Sequence, residues 1–390
     1  MKNILSVGKD CCGCYSCKQI CPKNCINFHE DAEGFMYPYV DESLCIECGK
    51  CLRGCPVASP VAISENSTVL GAKLKDGDVC ANSTSGGIFY PLASDVINAG
   101  GVVFGCAYDE NLSAKHIMAE TLEDLRLLQG SKYVQSNTDG VYTMVKAQLE
   151  TGRQVLFSGT GCQVAGLKAF LGNKEYPNLL NVDIVCHGVP SQKLFSRYLE
   201  YLGKKSGGKI TSYSFRSKEK QGWGLYYKAV SQSGKTKTGY GYFDPYYYSF
   251  LTCKTYRESC YNCKFANERR TGDITLADYW GIEKIDPSFY DKKGVSVVII
   301  NTDKGNCAWE KIKDKTEFVP SSMELAAQMN GNLSHPSQRP ACRDTIYQGL
   351  DGDIEAYVNQ KLKPGLMLKR RIKMLIPISV KGKIKHMLKK

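Results

Sequence analysis

Two copies of one cysteine pattern, close to the start of the chain, restrict its fold more than any other feature. Each copy reads C-x2-C-x2-C-x3-C-P and ends on a proline, Pro22 in the first copy and Pro56 in the second. The thiols are Cys11, Cys14, Cys17 and Cys21 in the first copy and Cys45, Cys48, Cys51 and Cys55 in the second. Soft thiolate ligands at such short spacing are typical of metal sites, so the pattern predicts a metal-bound N-terminal segment.

The spacing favours two [4Fe-4S] clusters over zinc. It is the run of bacterial two-cluster ferredoxins, in which the fourth cysteine of each copy ligates the other cluster. A zinc-ribbon pair is the alternative, although zinc needs only four thiols per site at looser spacing. Cys12 lies outside the repeat and is predicted to be spare, and Cys25 is predicted to pack against a cluster. The predicted ligand sets are Cys11, Cys14, Cys17 and Cys55 for one cluster, and Cys45, Cys48, Cys51 and Cys21 for the other.

The rest of the composition indicates a globular protein with reduced thiols. The chain has 390 residues, of which 43% are hydrophobic and 19 are cysteines. Its opening segment meets a charge before any long apolar stretch forms, which argues against a secretory signal and therefore against a disulfide framework. No run of about eighteen apolar residues occurs, so no membrane span is predicted. These features predict a cytoplasmic protein.

The positive charge is concentrated at the end of the chain. The net charge is +12, and residues 361–390 hold eleven Lys and Arg and no acidic residue, which leaves about +1 for the other residues. A nucleic-acid partner is therefore not predicted. The basic tail is predicted at residues 346–390, and within it residues 363–390 alternate basic and apolar residues. The first interpretation is a solvated tail or a docking segment for an acidic partner, and the second is peripheral contact with an anionic membrane surface.

The pattern after Pro56 predicts a linker followed by one large domain. Residues 61–80 are rich in Ser, Pro, Asn and Gly and predict a linker. From residue 81 to residue 345 predicted strands alternate with predicted helices, which indicates neighbouring parallel strands. The predicted fold class is α+β, with a ferredoxin-like domain of two [4Fe-4S] clusters at residues 1–60 joined to an α/β domain with a mixed sheet.

Four further cysteines are predicted to hold a third [4Fe-4S] cluster. Cys162 and Cys186 each follow a predicted strand, so both are expected at the sheet edge where open α/β sheets bind ligands. Cys260 and Cys263 form a C-x2-C in a polar stretch, and two thiols cannot complete a site for four ligands. The alternative is that these cysteines are buried packing residues. Cys253 is the reserve ligand, and the predicted small hydrophobes are Cys80, Cys106, Cys307 and Cys342.

Iron-sulfur clusters each carry one electron, so a chain of them usually ends at a cofactor that can convert to two-electron chemistry. A flavin is such a cofactor. The stretch STSGG at a predicted helix start offers hydroxyls, backbone amides and the positive helix end to a pyrophosphate. The stretch GSKY at residues 130–133 adds a lysine. A plain helix cap is the alternative for such serines and glycines.

Over residues 1 to about 345 the sequence resembles the coenzyme F420 hydrogenase/dehydrogenase beta subunit family, in its bacterial branch with a fused ferredoxin domain. The motifs that carry the resemblance are DCCGCYSC, NSTSGGIF, GSKYVQS, GTGCQVAGLKAFL, VDIVCHGVPS, FRSKEKQGWG and SCYNCKFANERRTGDITLADYWG. The resemblance implies a flavin-binding α/β domain that holds FAD beside an additional [4Fe-4S] cluster at Cys162, Cys186, Cys260 and Cys263. The implied FAD contacts are Ser83, Thr84, Ser85, Gly86, Gly87, Ser131, Lys132 and Tyr133.

These features together predict an iron-sulfur flavoprotein oxidoreductase. Electrons are expected to pass from a ferredoxin-like donor through the clusters to FAD and on to an unidentified small-molecule acceptor. The resemblance also implies a link to surface-polysaccharide biosynthesis, although no residue identifies a sugar. The alternative is a non-catalytic electron-transfer subunit that serves a partner enzyme. No catalytic acid or base is identified, and the candidates for lining the reactive face are Asp273, Asp278, Trp280, Trp223, Arg269 and Arg270.

Overall fold

The N-terminal domain is small and is built around the two cysteine repeats. The computed structural model describes residues 3–61, 63 and 67–363. Two short helices each carry the third cysteine of one repeat, and each helix begins after a residue in the left-handed conformation. An antiparallel hairpin separates the helices. The elements are the 3-10 helix Ile4–Asp10, the helices α1 (Ser16–Gln19) and α2 (Lys50–Arg53), and the strands β1 (Ile26–Glu30) and β2 (Met36–Val40).

An eight-stranded mixed sheet organises the rest of the chain. The remaining strands are β3 (Thr68–Leu74), β4 (Val102–Tyr108), β5 (Ala114–Ala119), β6 (Val155–Thr160), β7 (Leu179–Ile184), β8 (Ile210–Ser214), β9 (Tyr226–Ser231), β10 (Thr236–Tyr240), β11 (Ile274–Asp278), β12 (Ser296–Ile300) and β13 (Thr316–Pro320). The order of the large sheet is β13-β3-β12-β11-β7-β6-β4-β5, and β8, β9 and β10 form a separate small sheet. Within the large sheet β4, β6, β7 and β11 are parallel and the flanking strands are antiparallel. The predicted α+β class with a mixed sheet is confirmed.

Helices cover both faces of the large sheet. They are α3 (Gly77–Asn82), α4 (Phe89–Asn98), α5 (Leu122–Leu128), α6 (Val141–Glu150), α7 (Gly161–Phe170), α8 (Gln192–Ser206), α9 (Pro245–Leu251), α10 (Ile282–Ile285), α11 (Asp303–Ile312), α12 (Met323–Ala327) and α13 (Ile354–Tyr357). On one face Leu92 of α4 and Ile312 of α11 pack in the core, and on the other face Val145 of α6 and Leu167 of α7 do so. Burial of these apolar residues against the strands is the main stabilising contribution expected for such a layered fold.

Short turns connect these helices and strands. They are the 3-10 turns Gly241–Phe243, Glu258–Asn262, Lys313–Lys315, Gly331–Leu333 and Ala341–Asp344, together with the π-helical turn Val358–Leu362. One of them, Glu258–Asn262, carries Cys260 and is followed directly by Cys263. The connection therefore brings the predicted C-x2-C ligands into an ordered turn.

The linker predicted for residues 61–80 is wrong over much of its length. Residues Thr68–Leu74 form β3, which pairs between β12 and β13 inside the large sheet. Gly71 and Lys73 interrupt the apolar run, so the sequence pattern in this segment does not predict a strand. The glycine allows close packing there, because a Cβ atom at Gly71 would lie 3.0 Å from the ring of Tyr279. The large domain thus begins near residue 67.

The basic tail predicted to begin at residue 346 begins later. Leu350, Ile354 and Leu362 are buried in a core shared with α8 and the small sheet, so the domain continues to residue 362. Apolar residues at helical spacing here belong to that core. Residues 364–390, which hold most of the basic residues of the tail, lie outside the described residues. In the described ranges, the helices are too short or too polar to cross a membrane.

Candidate functional site

The two cysteine repeats exchange their fourth members. Cys55 of the second copy interacts electrostatically with Cys14 and Cys11 of the first copy. Cys21 of the first copy lies instead in a small cavity lined by the second copy's Cys45, Cys48 and Cys51. This is the exchange that the spacing predicts for a ferredoxin of two clusters.

The two N-terminal sites differ in exposure. Cys14, Cys17 and Cys55 of the first site are buried, whereas Cys48 of the second site is exposed. Cys25 is buried beside the second site, with its Sγ atom 3.3 Å from the Sγ atom of Cys21. Its position agrees with the predicted packing role. The second site therefore lies near solvent and the first faces the main domain.

All four cysteines predicted for a third cluster line one wall of a cavity of about 310 Å³ in the main domain. Cys162 follows β6 and Cys186 follows β7, and these parallel neighbours end at the same edge of the sheet. The Cys260 thiol interacts electrostatically with the thiols of the other three cysteines. Cys253, the reserve ligand, does not line this cavity. Among the predicted small hydrophobes, Cys106 lines the cavity and Cys307 is exposed.

The chemistry of this donor set fits an iron-sulfur cluster. Burial raises the pKa of Cys186 to about 12 and the pKa of Cys263 to about 11, so both thiols stay protonated at neutral pH unless a metal displaces the protons. Within residues 3–61, 63 and 67–363, no three Cys, His, Asp or Glu side chains approach closely enough to enclose a single metal ion. Four cysteine thiols around one space are the ligands that a [4Fe-4S] cluster takes, so the donor set fits such a cluster.

Cys12, predicted to be spare, lies between the first N-terminal site and the third set of cysteines. Its half-buried thiol interacts with the thiol of Cys14 on one side and with that of Cys162 on the other. Helix α7 approaches this closely because of Gly166, where a Cβ atom would lie 3.0 Å from the Sγ atom of Cys14. Cys12 therefore connects the two sites. The sequence carries no signal for this contact, because it depends on how two distant segments pack.

The residues implied to contact FAD lie on two loops that border the same cavity. The hydroxyl oxygens of Thr84 and Ser131 are 3.5 Å apart and connect the loops. The amide of Gln129, which the sequence analysis missed, donates to the Ser83 hydroxyl at 2.9 Å. The cavity-lining members of the implied set are Ser83, Thr84, Ser85, Gly87, Ser131, Lys132 and Tyr133.

Two of the implied FAD contacts have other roles in the structure. Gly86 does not line the cavity, and a Cβ atom there would lie 2.3 Å from the carbonyl oxygen of Ala72. This glycine therefore allows the loop to pack on β3. The Lys132 Nζ donates to the carbonyls of Leu127 at 2.9 Å and Gln129 at 2.8 Å, and burial lowers its pKa to about 8. Its ammonium group thus binds carbonyl oxygens at the C-terminal end of α5.

The candidates for the reactive face separate into two groups. Asp278, Trp280 and Arg270 line the cavity. Trp223 supports it from behind, since its ring stacks on Trp280 with centroids 4.8 Å apart and its Nε1 donates to Asp278 at 2.7 Å. Arg216, which the sequence analysis missed, donates to both Asp278 oxygens, at 2.6 Å and 2.7 Å.

Asp273 and Arg269 were predicted to line the reactive face and do not. The Asp273 carboxylate accepts hydrogen bonds from the backbone N–H of Asn181 and the hydroxyl of Thr302, so it joins strands and a helix start. Arg269 is exposed, and its backbone N–H donates to Asn267 in a turn. Both predictions failed because adjacency in a motif does not determine which way a side chain points.

Two histidines line the cavity and were missed by the sequence analysis. His187 directly follows Cys186 in the stretch CHGVPS, and that position after a strand was the available signal. His116 is buried between the Ser136 hydroxyl, 2.6 Å from its Nδ1, and the Ser158 carbonyl, 3.0 Å from its Nε2. Burial lowers the pKa of His116 to about 4, so the ring is neutral at physiological pH.

Comparison with known protein families finds matches for two segments of the chain. Residues 152–324 match a family model that describes the C terminus of the coenzyme F420 hydrogenase/dehydrogenase beta subunit, and residues 10–59 match one described as a 4Fe-4S dicluster domain. The first of these matches covers most of the central and C-terminal part of the main domain, and the second covers the two cysteine repeats. The resemblance noted from the motifs is thereby confirmed for these two segments.

One curated protein and one solved structure illustrate what the chain is similar to. A protein named ferredoxin 7Fe, from Hydrogenibacillus schlegelii, is 41% identical over 44 residues, which cover 11% of the chain and 50% of that ferredoxin. The chain thus spans about half the length of the curated relative it matches. A chain from the F420-reducing [NiFe] hydrogenase complex from Methanosarcina barkeri superimposes with a TM-score of 0.46 at 18% identity, covering 77% of this chain and 91% of that one.

Proposed function

We propose that this protein is an FAD-dependent oxidoreductase with three [4Fe-4S] clusters. A reduced ferredoxin-like protein supplies electrons at the N-terminal domain, and an unidentified small molecule accepts them at the cavity. The observation that carries the proposal is the cavity wall formed by Cys162, Cys186, Cys260 and Cys263, which lies next to Cys12 and the first N-terminal site.

The order of the sites supports transfer from the surface to the cavity. Cys48 of the second N-terminal site is exposed, and the first N-terminal site lies behind it with three buried cysteines. Cys12 then connects the first site to Cys162 at the cavity wall. When bound, the clusters supply one-electron transfer and the flavin supplies the conversion to two-electron chemistry.

The loops around the cavity offer a place for FAD. The loop of residues 83–87 leads into α4, a ten-residue helix without a side-chain cap at its start. Uncapped N–H groups at a helix start favour an anionic group such as a pyrophosphate. Tyr133 on the opposite loop stacks on Phe250 with ring centroids 4.2 Å apart, which holds that loop in place.

Asp278 and Trp280 form the part of the cavity assigned to the acceptor. The Trp280 ring lies between the Trp223 ring and the Arg216 guanidinium, whose carbon is 5.0 Å from the Trp280 centroid. Burial alone would raise the pKa of Asp278, but the charge and hydrogen bonds of Arg216 outweigh burial and lower it. Asp278 is therefore an anion that orients its neighbours and does not donate a proton.

The alternative is a non-catalytic electron-transfer subunit that serves a partner enzyme. Such a subunit needs a surface for its partner but no space for a flavin and a substrate. A cavity of about 310 Å³ is within the range of small-molecule sites, which favours the enzymatic proposal.

Anaerobic purification, with iron, sulfide and flavin measured on one sample, tests the proposal. We expect about twelve irons per chain, since three [4Fe-4S] clusters hold about four each, and one released flavin with the mass of FAD. Full iron without flavin would favour the electron-transfer subunit. Iron at about eight per chain would refute the third cluster.

We also propose a cytoplasmic location with peripheral membrane contact through residues 364–390. The support is the basic and apolar composition of this segment, and about 1 kcal/mol per basic residue is typical near an anionic leaflet. Flotation with phosphatidylglycerol vesicles tests it. Binding that weakens with salt and disappears when residues 364–390 are deleted is expected, and binding unaffected by the deletion would reject the membrane contact. The link to surface-polysaccharide biosynthesis stays a prediction that no residue tests.

A further inference from the structure

One buried arginine has no carboxylate partner within the part of the chain that the structure describes. Four arginines are buried there, and three of them pair with an acid, as Arg216–Asp278, Arg270–Asp183 and Arg343–Glu33. The fourth, Arg257, is 0% exposed. Burial of an unpaired charge is costly, so a compensating negative charge is expected close to it.

The guanidinium of Arg257 donates hydrogen bonds to uncharged acceptors. Nε donates to the carbonyl oxygen of Cys11 at 2.6 Å, and the two terminal nitrogens donate to the Met36 carbonyl at 2.9 Å and the Gln135 side chain at 3.2 Å. The Tyr37 ring covers the guanidinium, with its centroid 4.1 Å from the central carbon. These contacts give each of the three guanidinium nitrogens one neutral acceptor but leave the positive charge uncompensated.

Arg257 lies between the first N-terminal site and the cavity site. Its side chain reaches Cys11, while its backbone carbonyl accepts a hydrogen bond from the N–H of Cys260 at 2.9 Å. The charge interacts with the thiolate forms of Cys11, Cys12 and Cys260. Gly13 gives the guanidinium room, because a Cβ atom there would lie 3.1 Å from Nη1 of Arg257.

We propose that Arg257 is the shared countercharge of these two sites and adjusts the reduction potential of both. The inference rests on the proposed function, because it requires a cluster at the cavity site. The thiolates of a bound cluster outweigh the positive charge of its core, and reduction by one electron makes the site more negative still. A buried, weakly screened cation stabilises the reduced form and therefore raises the reduction potential.

The shared position also has a consequence for transfer between the sites. Arg257 stabilises the reduced form of both sites, because an electron that leaves one site arrives at another site that also lies next to the guanidinium. The cation thus raises both potentials together and changes the difference between them little. An arginine paired with a carboxylate, such as Arg270 with Asp183, has its charge cancelled nearby and cannot act in the same way.

A redox titration followed by electron paramagnetic resonance tests this role in the full-length, anaerobically loaded protein. Arg257→Gln removes the charge but can still donate to the Cys11 carbonyl, whereas Arg257→Lys keeps the charge. We expect Arg257→Gln to shift both neighbouring sites to more negative potentials and to leave the site of Cys21, Cys45, Cys48 and Cys51 unchanged. Arg257→Lys should shift them much less. Arg339→Gln, which removes a charge already paired with Glu258 and Asp344, is the matched control and should shift none.

Unchanged potentials in Arg257→Gln with full iron would overturn the inference. If Arg257→Gln loses iron, Arg257→Lys decides: retained iron supports compensation by charge, and loss in both variants rejects it. The iron content of the unmodified protein separates this inference from the proposed function. About eight irons per chain would refute the third cluster, and Arg257 is then judged by the potential of the first N-terminal site alone.

Discussion

The N-terminal cysteine sites and the cavity site use the same side chain in two different ways. Each N-terminal site gathers three cysteines from one short run and a fourth from the other copy. The cavity site takes Cys162 and Cys186 from the ends of two parallel strands and two more cysteines from a distant turn. A local site depends mainly on loop spacing, whereas an assembled site depends on the sheet that brings its parts together.

Replacement of Cys260 by serine is expected to change the iron content most. It tests most directly whether the cavity site is an assembled cluster site, in contrast to the two local N-terminal sites. Loss of one thiolate should remove the cavity cluster, so the iron content should fall from about twelve to about eight per chain, as measured by chemical analysis. Cys307→Ser, at an exposed cysteine on α11, is the control and should keep all iron. Full iron in Cys260→Ser together with a loss in Cys12→Ser or Cys253→Ser would mean that the ligand set is wrong.

Replacement of Cys21 by serine tests the exchange between the repeats. The variant should damage the cluster of Cys45, Cys48 and Cys51, because Cys21 lines their cavity. Resonance spectra recorded at graded reduction distinguish the two N-terminal clusters. Cys25→Ser, whose Sγ atom is 3.3 Å from that of Cys21, is the matched control and should leave both clusters present. Selective loss of the cluster of Cys11, Cys14 and Cys17 would refute the exchange.

A bulky residue at the flavin loops should affect the cavity and spare the N-terminal domain. Ser131→Trp fills the space between loops whose hydroxyls are 3.5 Å apart, so FAD should be lost while the iron content stays near that of the unmodified protein. Ser131→Ala removes only the hydroxyl and should retain most of the flavin. Mass analysis of the released cofactor provides the measurement, and full FAD in the tryptophan variant would contradict the assigned position. Gly86 is unsuitable for this test because it packs on β3.

Acidification is expected to give the smallest effect and acts on the main domain. The folded pKa of His116 is about 4 and the unfolded value is near 6.5, so between these values the unfolded state binds more protons. The neutral His116 ring therefore contributes to stability above about pH 6.5. This contribution is lost as the pH falls towards 4, and the loss is up to about 3 kcal/mol in the free energy of unfolding. Thermal unfolding from pH 7 to pH 5 should therefore depend less on pH in His116→Gln. An identical pH dependence in both proteins would show that His116 is not the group responsible.

The sequence by itself determined the α+β class, and it predicted the eight repeat cysteines as ligands together with the exchange of their fourth members. Short spacing restricts local geometry, because cysteines separated by two or three residues can bind the same metal site only if that site is small. Alternating strands and helices likewise predicted the parallel pair β6 and β7, and with it the common edge of Cys162 and Cys186.

Only the tertiary structure decided how distant segments meet. It placed β3 in the sheet where a linker was predicted, Cys12 between Cys14 and Cys162, and Arg257 beside Cys11 and Cys260. It also assigned Gly86 to packing against Ala72. These contacts join residues far apart in the chain, and they depend on strand register and on which side chains fit between packed layers. Neither the spacing nor the periodicity of a single segment carries that information.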